Sequence, residues 1–104
     1  MVKEVRNQYG VFSIDAGVLV KAEIAEGVTD LVIPKDEGIT QIGKDAFKDC
    51  SRLTAVNFPP SLTKIGAYAF SGCSNLTAVH FPKGLTEIGP HAFFHCSGLE
   101  GQLV

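Results

Sequence analysis

From Leu53 onward the apolar positions follow two rhythms that take turns along the chain. In the segment Leu-Thr-Ala-Val-Asn-Phe that ends at Phe58 the alternation has period two, so an extended strand puts Val56 and Phe58 on one face and Ala55 and Asn57 on the other. Pro59 ends this strand, because proline has no N–H to give to a sheet ladder. Further on, Ile65, Ala69 and Cys73 recur at i, i+4 and i+8 with Phe70 beside them, which predicts one face of a short helix. The same two-part pattern returns as Leu76, Val79, Phe81 and Pro82, followed by Ile88, Ala92 and Cys96. Each unit therefore predicts a strand, a turn and a helical segment.

The spacing between units is constant. Cys50, Cys73 and Cys96 are 23 residues apart, and so are Phe47, Phe70 and Phe93, Ala46, Ala69 and Ala92, and the Ile-Gly pairs beginning at Ile42, Ile65 and Ile88. Residues 51–73 and 74–96 are identical at 14 of 23 positions. An earlier copy occupies 28–50, with Val28, Leu31, Ile33 and Pro34 in the places of Leu53, Val56, Phe58 and Pro59; two extra residues within 35–38 are absorbed by Ile39. A unit of this length cannot bury its apolar face alone, so neighbours must stack. The predicted fold is a β/α repeat solenoid with a parallel β-sheet on the concave face and short helices or helical turns on the convex face.

Both ends depart from the pattern. Residues 1–27 do not fit the repeat, and Asp15-Ala16-Gly17 between two apolar runs reads as a hairpin turn, predicting an N-terminal β-hairpin cap. Repeats then cover 28–50, 51–73 and 74–96, with a partial unit at 97–104 in which Leu99 opens a fourth strand and Gln102 takes the column of Val56 and Val79. An uncapped parallel edge invites association, so Leu103 and Val104 are self-association candidates.

The string Leu-Thr-x-Ile-Gly-x-x-Ala-Phe-x-x-Cys-Ser-x-Leu-Thr-x-Val-x-Phe-Pro, carried by residues 28 to 100, resembles the leucine-rich repeat of the BspA type, also called the Treponema pallidum type. Gly17-Val18-Leu19-Val20 is similar to the lead-in strands of such domains. The resemblance implies a right-handed solenoid with strands on its concave side, and roles in protein binding and cell-surface adhesion. It carries no catalytic residues onto this chain.

Composition narrows the function classes. With 104 residues, 45% hydrophobic and 19% charged, the chain has the apolar content of one folded domain. A net charge of -2 supplies no electrostatic footprint for nucleic acid. No run approaches the roughly 20 apolar residues of a membrane helix, and the start from Met1 to Gln8 lacks the apolar segment of a secretory signal. The expected location is the cell surface if the chain is a piece of a BspA-like protein and the cytoplasm if it is complete.

Among candidate surfaces the concave face comes first, with Asp30, Val32, Ala55, Asn57, Ala78 and His80 pointing outward, Gly101 and Leu103 joining if a fourth strand forms, and Lys35 and Lys83 at the rim. Four strands about 4.8 Å apart give a face on the order of 200 Å², well below the roughly 800 Å² per partner of a standard interface. A stable partner must also touch the loops after Pro34, Pro59 and Pro82, or the array must be extended by oligomerisation. Phe94 replaces Lys48 and Ser71 in its column, so it should face outward beside His91, one repeat from Tyr68, as a convex self-association ridge. His91 and His95, at i and i+4, have zinc-compatible spacing but no third ligand nearby, so no metal is assigned. The cysteine column reads as buried small apolar groups. The pattern Asn75-Leu76-Thr77 matches a glycosylation acceptor but arises from the repeat consensus. With no phosphate-cradling loop and no nucleophile elbow, neither a cofactor nor an enzymatic activity is expected. The leading reading is a non-catalytic protein-interaction module; the alternatives are a stand-alone intracellular inhibitor or regulator, such as a phage-encoded inhibitor of a bacterial defence enzyme, and a structural spacer.

Overall fold

The alternation of apolar and polar residues at the start of the chain builds strands rather than repeats. In the computed structural model, which describes residues 1–99, β1 (Val2–Asn7), β2 (Gly10–Asp15) and β3 (Val18–Ile24) form an antiparallel meander. Phe12 and Ile14 of β2 point into the core. Ala16 and Gly17, at φ 50° and 82°, make the two-residue left-handed turn whose twist suits a hairpin.

Each repeat then contributes two short strands. The chain runs through β4 (Asp30–Val32), β5 (Gln41–Ile42), β6 (Ala55–Asn57), β7 (Lys64–Ile65), β8 (Ala78–His80) and β9 (Glu87–Ile88). Strands β4, β6 and β8 form a three-stranded parallel sheet in which Leu31, Val56 and Val79 are in register. Strands β5, β7 and β9 add in parallel to β3, placing Leu19, Ile42, Ile65 and Ile88 in one row. The meander and one strand from each repeat thus make a continuous six-stranded sheet. Leu31 and Val56 from one sheet and Ile42 and Ile65 from the other belong to a single buried core.

The predicted convex helices do not form; among the described residues the only helical element is a 3-10 turn at Ser97–Leu99. The segments expected to be helical are chains of tight turns with left-handed corners four residues apart: Asp45 and Asp49, Tyr68 and Gly72, His91 and His95 all have φ between 57° and 82°. A right-handed helix cannot contain such corners. The backbone donors of the first two turns divide between local and inter-repeat partners. Ala46, Lys48 and Cys50 turn back to carbonyls three residues earlier, while Asp45, Phe47 and Asp49 donate to Ala67, Ala69 and Ser71 of the next repeat. Tyr68, Phe70 and Gly72 donate in the same way to Pro90, Ala92 and Phe94. Ala69 and Cys73 each follow a left-handed corner and are returned to the core, which reproduces the spacing of a helical face without a helix.

Close stacking explains the Ile-Gly pairs. A Cβ on Gly66 would lie 2.8 Å from the carbonyl oxygen of Ile42, and one on Gly89 would lie 2.7 Å from the Ala67 nitrogen, so only hydrogen fits. Threonines knit the repeats at the strand starts: the Thr63 hydroxyl donates to Thr40 O at 3.1 Å and the Thr86 hydroxyl to Thr63 O at 3.2 Å. The rings of Phe47, Phe70 and Phe93 stack at 4.9 and 5.3 Å, nearly parallel.

Candidate functional site

The outer face of the three-stranded sheet carries the residues expected there. Because the strands are in register, Asp30, Ala55 and Ala78 form one column and Val32, Asn57 and His80 the other. Asp30, Val32 and His80 are exposed; Ala55, Asn57 and Ala78 are half-buried beside them. The Asn57 amide donates to Asp30 Oδ1 at 3.0 Å and to Leu31 O at 3.2 Å. That pair of bonds fixes the Asn57 rotamer and leaves the second carboxylate oxygen of Asp30 open to a ligand. Lys35 and Lys83 are exposed just beyond the prolines that end β4 and β8. Gly101, Leu103 and Val104 lie outside the described residues.

A second grouping lies on the turn side. Tyr68 stacks on His91 at 5.1 Å, Phe94 meets His91 edge-on at 5.2 Å, and Phe94 contacts His95 at 4.0 Å. Phe94 is 44% exposed. His95 was grouped in the sequence only with a metal pair; its part in this aromatic cluster depends on the left-handed corner that turns it toward Phe94. Tyr68, His91 and His95 all occupy left-handed backbone, which costs a non-glycine residue on the order of 1 kcal/mol. His91 and His95 sit at two such corners, not on a helical face. Among the described residues no group of three His, Cys, Asp or Glu side chains is placed to hold a metal ion.

The cysteine column is wired to the phenylalanine column. Cys73 Sγ donates to Phe47 O at 3.2 Å and Cys96 Sγ to Phe70 O at 3.0 Å, each reaching back one repeat. The Cys73 thiol is held protonated by its interaction with Cys50 and by burial, and burial pushes Cys96 in the same direction. The half-buried Cys50 is shifted the other way, because the neighbouring Cys73 thiol can turn its one proton from Phe47 O to a Cys50 thiolate. All three are free thiols.

An open cavity of about 230 Å³, which the repeat pattern gave no sign of, lies where the cap meets the first turn, lined by Ile24, Glu26, Val28, Cys50, Arg52 and neighbours. It arises from the junction of a non-repeating segment with a repeating one, and the residues that line it are far apart in the sequence.

Parallel strands that 23-residue units contribute in register to two sheets around one core are the frame of a leucine-rich-repeat solenoid. The chain belongs to the BspA-type leucine-rich repeat family: the model of the BspA type leucine rich repeat region matches residues 25–102. Its structure is similar to that of the T. pallidum leucine-rich repeat protein, with a TM-score of 0.75 and 28% identity over 92% of this chain and 47% of that one. It is also similar to a leucine-rich repeat protein from Bacteroides capillosus, with a TM-score of 0.70 and 31% identity over 86% of this chain and 73% of that one. The chain thus spans about half the length of the T. pallidum protein. A search of curated proteins finds no match. No helix among the described residues is long and apolar enough to cross a membrane.

Proposed function

We propose that this chain is a non-catalytic protein-interaction module whose contact surface is the outer face of the three-stranded sheet with its flanking loops. The observation that supports this reading is an anchored polar group across two adjacent columns: Asp30, Asn57 and His80 project from strands whose central residues Leu31 and Val56 are buried and Val79 partly buried, and the Asn57 bridge to Asp30 orders two of them before any partner arrives. Ordering side chains in advance lowers the entropy cost of association. Lys35 and Lys83 beyond the strand ends extend the face toward the area a stable interface needs. The family resemblance directs the search to surface proteins, as adhesion would require.

The test is capture of partners by the immobilised chain against a double variant, Asp30→Lys with His80→Glu. The variant should keep the native circular dichroism spectrum and melting midpoint while losing the captured partner. Capture that is unchanged by the double variant would refute the assignment of this face. A second surface, the Tyr68, His91 and Phe94 cluster, is favoured for self-association by the 44% exposure of Phe94 amid ordered aromatic neighbours. Light scattering over a concentration series should then show a dimer that Phe94→Ala abolishes.

A further inference from the structure

The cysteine column is a ladder with one open rung, where the cap meets the first repeat. Cys73 and Cys96 each donate a thiol proton to the carbonyl 26 residues earlier, Phe47 O and Phe70 O. The residue 26 before Cys50 is Ile24, the last of β3, and no thiol bond joins these two among the described residues. Ile24 and Cys50 instead line the cavity of about 230 Å³, which has room for several waters at about 30 Å³ each. Cys50 is half-buried there, whereas Cys73, one repeat on, is fully buried. The opening exists because antiparallel cap strands, and not a repeat, lie on this side of the first turn.

Cys50 and Cys73 meet around one acceptor. Phe47 O accepts the Cys50 N–H at 3.2 Å and the Cys73 thiol at 3.2 Å. The turns that carry the two cysteines are bonded directly to one another, with the Asp49 N–H donating to Ser71 O at 2.7 Å. Backbone rows joined in this way lie about 4.8 Å apart, inside the Cα separation of about 4.4–6.8 Å that a disulfide bridges. The Cys73 proton can also turn to the Cys50 sulfur and stabilise its thiolate, the form that attacks disulfides.

From this we infer that Cys50 and Cys73 form a dithiol site, which a small disulfide enters through the cap cavity and oxidises to a Cys50–Cys73 disulfide. In the first step the Cys50 thiolate attacks one sulfur of R–S–S–R. The Cys50–S–S–R bond forms, and R–S⁻ leaves with the electron pair and takes a proton from water. In the second step the Cys73 sulfur attacks the Cys50 sulfur, the Cys73 proton passes to the departing sulfur, and a second R–SH leaves. One disulfide is reduced for each one formed, so the entering disulfide is the whole oxidant. The exchange is stoichiometric, one small disulfide per chain.

The cavity wall sets the class of R. Ile24, Val28 and Leu53 offer apolar surface to a short alkyl arm. The charged residues of the wall are two acids, Glu26 and Asp49, and one base, Arg52, all exposed to solvent. That balance draws in an amine-bearing arm and repels a carboxylate-bearing one. The other pair of neighbours in the column, Cys73 and Cys96, is buried at 0% and 7% and neither residue lines the cavity, so the first attack falls to Cys50.

The test exposes the reduced 104-residue chain to cystamine at pH 7.5 and follows intact mass and peptide maps. The chain should lose two hydrogens, with Cys50 joined to Cys73, Cys96 left free and one cystamine consumed per chain. The Cys73→Ala chain should stop at the mixed disulfide, carrying one cysteamine on Cys50, and the Cys50→Ser chain should stay unmodified while folded. At low ionic strength cystamine should react at least about threefold faster than its carboxylate-bearing counterpart dithiodiglycolate, and the gap should close in high salt. The inference is overturned if the wild-type chain does not react or stops at a mixed disulfide, if the new bond joins Cys73 to Cys96 or one chain to another, if Cys50→Ser oxidises as fast as the wild type, or if the two reagents react at equal rates in low salt. The wild-type outcomes decide the matter even where a variant fails to fold.

Discussion

The cap side of this solenoid and its last described repeat bury the same columns to different extents. Leu19, Ile42, Ile65 and Ile88 occupy one row of the six-stranded sheet, yet the first three are buried at 0%, 1% and 0% while the last is 48% exposed. Phe47 and Phe70 are fully buried and Phe93, third in the same stack, is half-buried. At the N-terminal end an antiparallel meander supplies the neighbour that a repeat supplies in the middle. Burial in a repeat array therefore belongs to the contact between units and not to the residue type.

Substitutions along one column test that statement, and the largest effect should come from the phenylalanine stack. Phe70→Ala removes a ring packed on both faces and should destabilise by about 3–5 kcal/mol, read from urea unfolding, with Phe93→Ala costing about half as much. Equal losses would mean that the last repeat is covered after all. In the isoleucine row, Leu19→Ala at the capped end should lose about 2–5 kcal/mol and Ile88→Ala under about 1 kcal/mol.

Backbone proximity gives a third contrast. Gly66→Ala puts a methyl against the Ile42 carbonyl and should cost about 1–3 kcal/mol. At Gly84 a Cβ would sit 3.7 Å from Leu62 O, an ordinary contact, so Gly84→Ala should be neutral within about 0.5 kcal/mol. Thermal melts of the two variants compare a stacked glycine with a loop glycine in the same array.

The smallest effect concerns the thiols. Cys73 and Cys96 are held protonated in the fold, so the unfolded chain, with thiols ionising near 9.0, releases their protons first as pH rises. The contribution of these two thiols is complete below that value and falls above it, by at most about 1.4 kcal/mol per pH unit per thiol, whereas Cys50, shifted the other way, adds stability as pH rises toward 9.0. The Cys73→Ala, Cys96→Ala double variant should flatten the alkaline limb. Labelling at pH 7.5 should modify Cys50 quickly and the other two only on unfolding; rapid labelling of Cys96 would show that the end of the column is open to solvent.

Much of this architecture was legible in the residues alone. The 23-residue period, the outward columns of the strand face and the turn at Ala16 and Gly17 follow from patterns whose partners are adjacent in sequence or repeated in register. The buried positions Ile65, Ala69, Phe70 and Cys73 were also visible as an apolar set. Their secondary structure was not, because return to the core every fourth residue is shared by a helix and by a chain of turns with left-handed corners. What separates the two is where Phe47 and Phe70 send their N–H groups, and those bonds cross to another repeat. The second strand of each unit is equally hidden, since two residues such as Lys64 and Ile65 are too short to show an alternation.

The sequence by itself determined the repeat, its register and which residues seek the core, because these follow from side-chain character at fixed spacing. Only the tertiary structure decided that turns replace helices, that two sheets form where one was expected, and that alternate donors of the first two turns end on the following repeat. Each of those outcomes depends on hydrogen bonds between residues about one repeat apart, which local pattern cannot encode.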